Sequence, residues 1–340
     1  MEKLLFPREG TKVYKANLHT HTNLSDGHVT PAQMKEAYKA AGYSILALTD
    51  HEVLYDHSDL NDDDFLTITS YEYAVNDGGG KYKFVKSCHL NLYALDPHNT
   101  VQVCHHPDAP WFLKDEELKK QFKFVGEPYN RWHSPECINH VVKTANENGF
   151  IVCYNHPQWS METYEDWAPI EGIFAVEVYN SGSDRQCGFF EHNIHVYDAM
   201  LKMGKKVYPI AADDSHTIRP EGHPRSDNFF GFCMVAAEEL EYSKVMTALQ
   251  NGDFYASIGH KIEKITAENG VITVYAPDSR EIYFRTENRH GDTVCGEHGA
   301  LIDTASFKME EDDEYVYVLA VNGEGKWAIS RAFSREEIFE

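Results

Sequence analysis

His19 and His21 flank Thr20 in the run Asn17-Leu-His-Thr-His-Thr-Asn-Leu-Ser-Asp-Gly27. On an extended segment, residues two apart point to the same face, so both imidazoles present themselves together. Asp26 follows in a Ser-Asp-Gly turn, from which a carboxylate can swing back toward the strand end. Two imidazoles and a carboxylate form a nitrogen/oxygen set suited to a divalent transition metal. The same residue types recur at or near the ends of later apolar runs: His51, Glu72, His89, His156, Asp214 and His216. Together these nine exceed what one ion can use, but they suffice for three if Glu72 bridges two of them. Three divalent ions against three carboxylates leave a charge of roughly +3, which suits a phosphate dianion and lowers the pKa of a shared water.

Such residues must be carried to one place. Val13–Leu18 reads as a strand delivering the first two histidines, and Thr30-Pro31 opens a helix that Gly42 closes. Ser44–Thr49 is a short apolar run ending at Asp50-His51, and Phe65–Ser70 ends at Tyr71-Glu72. Lys83–Leu95 is β-like, with His89 inside it. Residues 97–133 look like an irregular insertion with one short helix, Asp115–Phe124. Ser134-Pro135 caps another helix, followed by Phe150–Tyr154 and Asn155-His156. Ile173–Tyr179, a helix over Phe190–Met203, Lys206–Ala212 and a helix over Ser243–Asn251 complete the pattern. Short buried strands alternating with capped helices predict parallel βα units. The fold class expected is therefore α/β, a TIM-like barrel with seven strands, over residues 1–253. Polar residues collect after the strands, where such barrels place their sites. From Phe254 to residue 340, alternating runs separated by Gly, Asp and Asn predict a small antiparallel β-sandwich packed against the barrel.

Bulk properties narrow the function. The 340 residues carry a formal net charge of −23, which repels polyphosphate backbones and argues against a processive nuclease on long DNA. A small anionic substrate remains compatible, because bound cations reverse the local field. Seven cysteines are scattered singly without a CxxC pair, which predicts reduced thiols and a cytoplasmic location. The N-terminal residues lack the apolar stretch of a signal peptide, and no run is long enough to span a bilayer. No membrane partner is expected, and the oligomeric state is open.

The chain resembles the PHP (polymerase and histidinol phosphatase) superfamily. The resemblance rests on His19-Thr-His21, Ser25-Asp26-Gly27, Thr49-Asp50-His51, Glu72, His89, His156-Pro157 and Asp214-Ser215-His216, in the expected order over residues 13–220. It implies a distorted (βα)7 barrel holding two or three Mn, Fe or Zn ions. In the family pattern one ion takes His19, His21, Glu72 and Asp214, a second takes Glu72, His89 and His156, and a third takes Asp26, His51 and His216. The run from Gly231 to Ser257 is similar to the CehA/McbA-type metallohydrolase branch, whose activities include carbamate ester hydrolysis.

The expected reaction is metal-assisted hydrolysis, foremost of a phosphoester in a small phosphorylated metabolite or nucleotide. A hydroxide bridging two ions would attack phosphorus in line, with Asp214 managing its proton and His216 helping at the leaving group. Arg185 and Arg225, in loops after the last two barrel strands, are candidates to clamp an oxyanion. Alternatives are a carbamate, amide or carboxylic ester hydrolase using the same metals, and a metal-stabilised binding module without catalysis. Asp50 and Asp213 are expected to orient a ligand or close a turn. Glu177 could face the pocket or serve a structural ion pair. Gly-rich 76–80 reads as a hairpin loop.

Overall fold

The computed structural model describes residues 2–78, 85–106 and 113–339. Lys83, the expected start of the strand carrying His89, and Gly79 and Gly80 of the glycine-rich loop lie outside the described residues.

Seven strands surround the site. Lys12–Asn17, Ile45–Leu48 and Leu66–Asn76 are parallel neighbours. Phe150–Tyr154, Ala175–Asn180 and Tyr208–Ala212 form a second parallel set. Ser87–Ala94 joins the two sets and runs antiparallel to both of its neighbours. The last strand meets the first just beyond their ends: Asp214 N–H donates to His19 O at 2.9 Å, and His21 N–H to Ser215 O at 2.8 Å. The expected number of strands is present, but the uniform parallel barrel is not. The reason is chain length. Only residues 77–86 separate Asn76 from Ser87, and a parallel crossover needs about a dozen residues or more, usually with a helix. A short connection can only fold the strand back as a hairpin.

The helices follow their caps. Thr30 and Gln33 form a reciprocal capping box at the start of Pro31–Ala40, and Ser134 caps Pro135–Glu147. Pro135–Glu147 buries Ile138, Val141, Val142 and Ala145, the i, i+3, i+4, i+7 stripe of a helix on a sheet. In the insertion the helix is only Glu116–Lys119, shorter than expected. The helix expected over Phe190–Met203 spans Ile194–Lys202.

The C-terminal strands are antiparallel, as the alternating runs require. They are hydrogen-bonded into the first sheet. Phe232–Ala237 pairs with both Lys12–Asn17 and Phe254–Ser257, which pairs in turn with Trp327–Ser330. Alternation along these strands feeds two cores. Val235, Phe254, Ala256, Trp327 and Ile329 face the cluster shared with the site-bearing strands, whereas Ala236, Tyr255 and Ala328 face a second cluster with Ile272, Ile282, Phe284 and Val318. A sheet buried on both faces reads as a continuous apolar run. Lys3–Phe6 belongs to this second unit, because it pairs with Lys264–Glu268 and buries Leu5 and Phe6 there. Among the described residues, no helix is long and apolar enough to cross a membrane.

Candidate metal centre

The nine residues singled out by type and spacing meet at one end of the strands. His19 and His21 leave the end of Lys12–Asn17 with their Nε2 atoms 3.1 Å apart. Asp26 sits in a turn closed by Gly27 N–H donating to Thr22 O at 2.9 Å. Asp50 holds that turn. It accepts from Thr22 N–H, Thr22 O–H and Ser25 O–H, each at 2.7 Å. Its expected role in closing the turn is what the geometry shows.

Glu72 lies inside Leu66–Asn76, not after a strand end as the apolar run suggested. Its cross-strand partner is Asn91, and Ala74 opposes His89. Glu72 and His89 are thus diagonal neighbours on one face of the hairpin. The Glu72 carboxylate has ring nitrogens around it: His51 at 2.9 Å, His89 at 3.1 Å, His156 at 3.2 Å, His19 at 3.3 Å and His21 at 3.4 Å. Asp214 Oδ1 lies 3.0 Å from His21 Nε2, 3.2 Å from His19 Nε2 and 3.7 Å from His216 Nδ1. Asp26 faces His216 at 3.4 Å and His51 at 3.7 Å. His156 and Asp214 have φ of 24° and 50°, unusual for residues with side chains.

These separations allow a fit test. Donors sharing an ion at about 2.0–2.2 Å stand about 2.8–3.6 Å apart in octahedral or tetrahedral geometry, and the distances around Glu72, and those from Asp214 to His19 and His21, fall there. Hydrogen bonding alone leaves atoms unserved. His21 Nδ1 and Asp214 Oδ1 are buried without a directed hydrogen bond. Among the described residues, four groupings of histidine and carboxylate could each hold an ion, and they overlap at His19, His21, His51 and Glu72. The donor set fits divalent cations.

The electrostatics are those of a tightly packed charge cluster. Burial opposes charge on Glu72, yet the imidazoles of His89, His19 and His51 hold its carboxyl well below the usual range. Burial, with His216 and His51 beside it, presses His21 down to about 4. Burial also opposes protonation of His156, but the hydrogen bond it donates to the Glu72 carboxylate wins and lifts it to about 9. Protons and cations compete for such nitrogens.

A second layer orients the first. Glu177, fully buried, accepts from His19 Nδ1 at 2.7 Å and from the His156 N–H at 3.0 Å. It therefore faces the cluster and fixes the His19 tautomer, the carboxylate–histidine support that metal ligands commonly have. Asn180 Nδ2 donates to Glu177 at 2.9 Å and to Asp214 at 3.2 Å, and Asn155 Nδ2 to Glu72 at 2.9 Å. Sequence reasoning missed both asparagines; the only signal was that each sits at or next to a strand end. Asp213 closes a turn. It accepts from the N–H groups of Phe229, Phe230 and Gly231 at 2.7, 2.9 and 2.8 Å.

Arg185 and Arg225 do not reach the cluster through the contacts they make. Arg185 donates to the carbonyls of Ser226 and Pro224, both at 2.9 Å, and lies 3.5 Å over the Phe230 ring. Arg225 donates back to Gln186 O. The two guanidiniums brace neighbouring loops, because each satisfies main-chain carbonyls that the loops leave unpaired. All seven cysteines are free thiols, Cys187 and Cys295 exposed and the rest buried.

Among curated proteins, nothing matches the sequence. Among solved structures, similar chains include a two-domain protein from Bacteroides vulgatus containing a predicted PHP-like metal-dependent phosphoesterase. It is 15% identical with a TM-score of 0.46, over 97% of this chain and 98% of that one. An amidohydrolase from Chromobacterium violaceum, solved with bound sulfate and no metal, is 15% identical with a TM-score of 0.38, over 59% of this chain and 87% of that one. The PHP domain family model matches residues 17–203, more than half of the sequence, and the chain belongs to the PHP domain family.

Proposed function

We propose that this protein is a metal-dependent hydrolase, most specifically a phosphoesterase acting on a small phosphorylated metabolite or nucleotide, and that it lies in the CehA/McbA-like branch of its family. One observation carries the reading: six imidazoles and three carboxylates from six separate segments converge in one cluster, with five ring nitrogens 2.9–3.4 Å from the Glu72 carboxylate. His19, His21, Glu72 and Asp214 would hold one ion, Glu72, His89 and His156 a second, and Asp26, His51 and His216 a third, as Mn, Fe or Zn. Divalent ions so held supply Lewis acidity and bring the pKa of water toward neutrality.

The remaining work falls to the protein. Asp214 presents a buried oxygen without a directed hydrogen bond and takes the proton of the attacking water. His216, with 17% of its side chain exposed, stands at the open rim where a leaving oxygen departs. Asn180 and Glu177 keep Asp214 and His19 from turning away. A net charge of −23 favours small anionic substrates over long nucleic acid, and seven unpaired thiols suit a cytoplasmic location.

The test combines metal analysis with initial rates on aryl phosphates and aryl carbamates in the presence of Mn. The reading expects two or three ions per chain, turnover of the phosphates, and a fall in kcat of about 10²–10⁴-fold in Asp214→Asn. Turnover of the carbamates alone would move the activity to that bond. A single inert ion with neither activity would refute catalysis.

A further inference from the structure

Trp159 stands over one end of the cluster. Its ring centroid lies 4.9 Å from that of His89 and 5.0 Å from that of His156, the latter edge to face. The exposed rim is elsewhere, at Asp26, His51 and His216, whose side chains are 32%, 13% and 17% accessible. Trp159 itself is half-buried, so part of the indole packs on the His89–His156 end and part remains accessible.

The turn carrying this indole is fixed by an unusual investment. Glu191, fully buried, accepts the N–H groups of Gln158 and Trp159, both at 2.9 Å, and is itself held by Asn193 Nδ2 at 2.6 Å. Ser160 N–H returns to His156 O at 3.1 Å. Burying a carboxylate is unfavourable unless its hydrogen bonds are strong. Here two of those bonds fix the two consecutive peptide groups that lead into Trp159, and so the main chain from which its side chain leaves. A rigid, partly open aromatic beside the reacting centre is a preorganised stacking surface, tolerant of any flat partner.

We propose that Trp159 is the platform for a planar aromatic part of the substrate, so that the enzyme selects esters bearing an aryl or heteroaryl group close to the bond it cleaves. This rests on the hydrolase reading above, and it adds the class of group that lies beside the ions. Stacking on one side chain changes affinity by about 5- to 150-fold.

Calorimetric titration of the metal-loaded protein with phenylphosphonate and methylphosphonate tests it, in the wild type, Trp159→Phe and Trp159→Ala, with ion content measured in each. The platform expects the wild type to prefer the phenyl compound by about 5-fold or more, Trp159→Phe to keep most of that preference, and Trp159→Ala to reduce it to about 2-fold or less at unchanged ion content. Equal affinities in the wild type, or a preference that survives in Trp159→Ala, overturns it. So does loss of ions in Trp159→Ala with both affinities falling together, which marks a packing role. Should neither phosphonate bind, KM values for aryl and alkyl carbamates replace the titrations. An aryl preference that collapses in Trp159→Ala then upholds the platform while the phosphoester reading fails, and no aryl preference overturns the platform as well.

Discussion

Replacing Arg131 with Met isolates how the insertion holds the ligand-bearing segments. The Arg131 guanidinium forms a two-point ion pair with Glu52, one arm at 2.9 Å, and donates to the carbonyls of Ala74 and Cys104 at 3.2 Å. It lies 3.7 Å over the Tyr73 ring, and the two charged side chains are only 9% and 6% accessible. Glu52 directly follows His51, donates its N–H to Glu72 O at 2.9 Å and accepts from Ala74 N–H at 3.2 Å. Arg131→Met leaves the Glu52 carboxylate buried without its cation, and breaking such a pair costs about 3–5 kcal/mol. A typical domain has about 5–15 kcal/mol in total, so the variant remains folded at low temperature but shows a large fall in urea midpoint. Glu52→Gln combined with Arg131→Met removes the stranded charge and restores part of the loss, a sign that distinguishes charge burial from lost packing. Urea denaturation followed by far-UV circular dichroism measures both. A loss below about 1 kcal/mol in Arg131→Met, or a double variant less stable than the single one, would refute the reasoning.

Three further outcomes follow from the geometry. Glu177→Gln weakens the support of His19 Nδ1 and lowers metal affinity by about 10–100-fold, read by competition with a chelating dye. Gly182→Ala places a Cβ 2.6 Å from Asp214 O, so the backbone carrying Asp214 must shift; about 1–3 kcal/mol of stability is lost, and ion content falls with it. The third concerns His133, 2.7 Å from Glu162. Burial opposes its protonation, but Glu162 raises its pKa above the ordinary 6.5. Its contribution to stability is therefore complete below about pH 6.5 and declines as pH rises through the folded-state value. Glu162→Gln should flatten that part of the stability–pH curve, and an unchanged curve would remove the pair from the account.

The candidate ligands were legible because metal chemistry restricts residue type and strand geometry restricts spacing. His19 and His21 show this directly, and His51, His156, Asp214 and His216 each follow an apolar run. Glu72 was found with its position misread, since the run continues as strand through Asn76 and the apolar residues give no sign of where pairing stops. The antiparallel course of Ser87–Ala94 escaped the βα pattern, although the ten residues before it contained the reason. Glu177 reads from the sequence as facing either the pocket or an ion pair, because a lone acid on a strand carries no directional signal. Arg131 and Glu52 are separated by 79 positions, and no local spacing announces their pairing. Arg185 and Arg225 are candidates by loop position alone, which says where a residue begins and not where a long flexible side chain ends. The shared wall formed by Phe232–Ala237 and Phe254–Ser257 was hidden for a related reason: alternation reports two faces, not what each face meets.

The pairing of Lys3–Phe6 with Lys264–Glu268 has a temporal side. On a ribosome adding about 5–20 residues per second, Lys3–Phe6 waits tens of seconds for its hydrogen-bonding mate. Lys12–Asn17, which leads into the two leading histidines, likewise lacks Phe232–Ala237 until most of the polypeptide has been made. Throughout that interval both carry unpaired edges that a nascent-chain chaperone would recognise, and the candidate ligand set is complete only after Asp214 and His216 have been added.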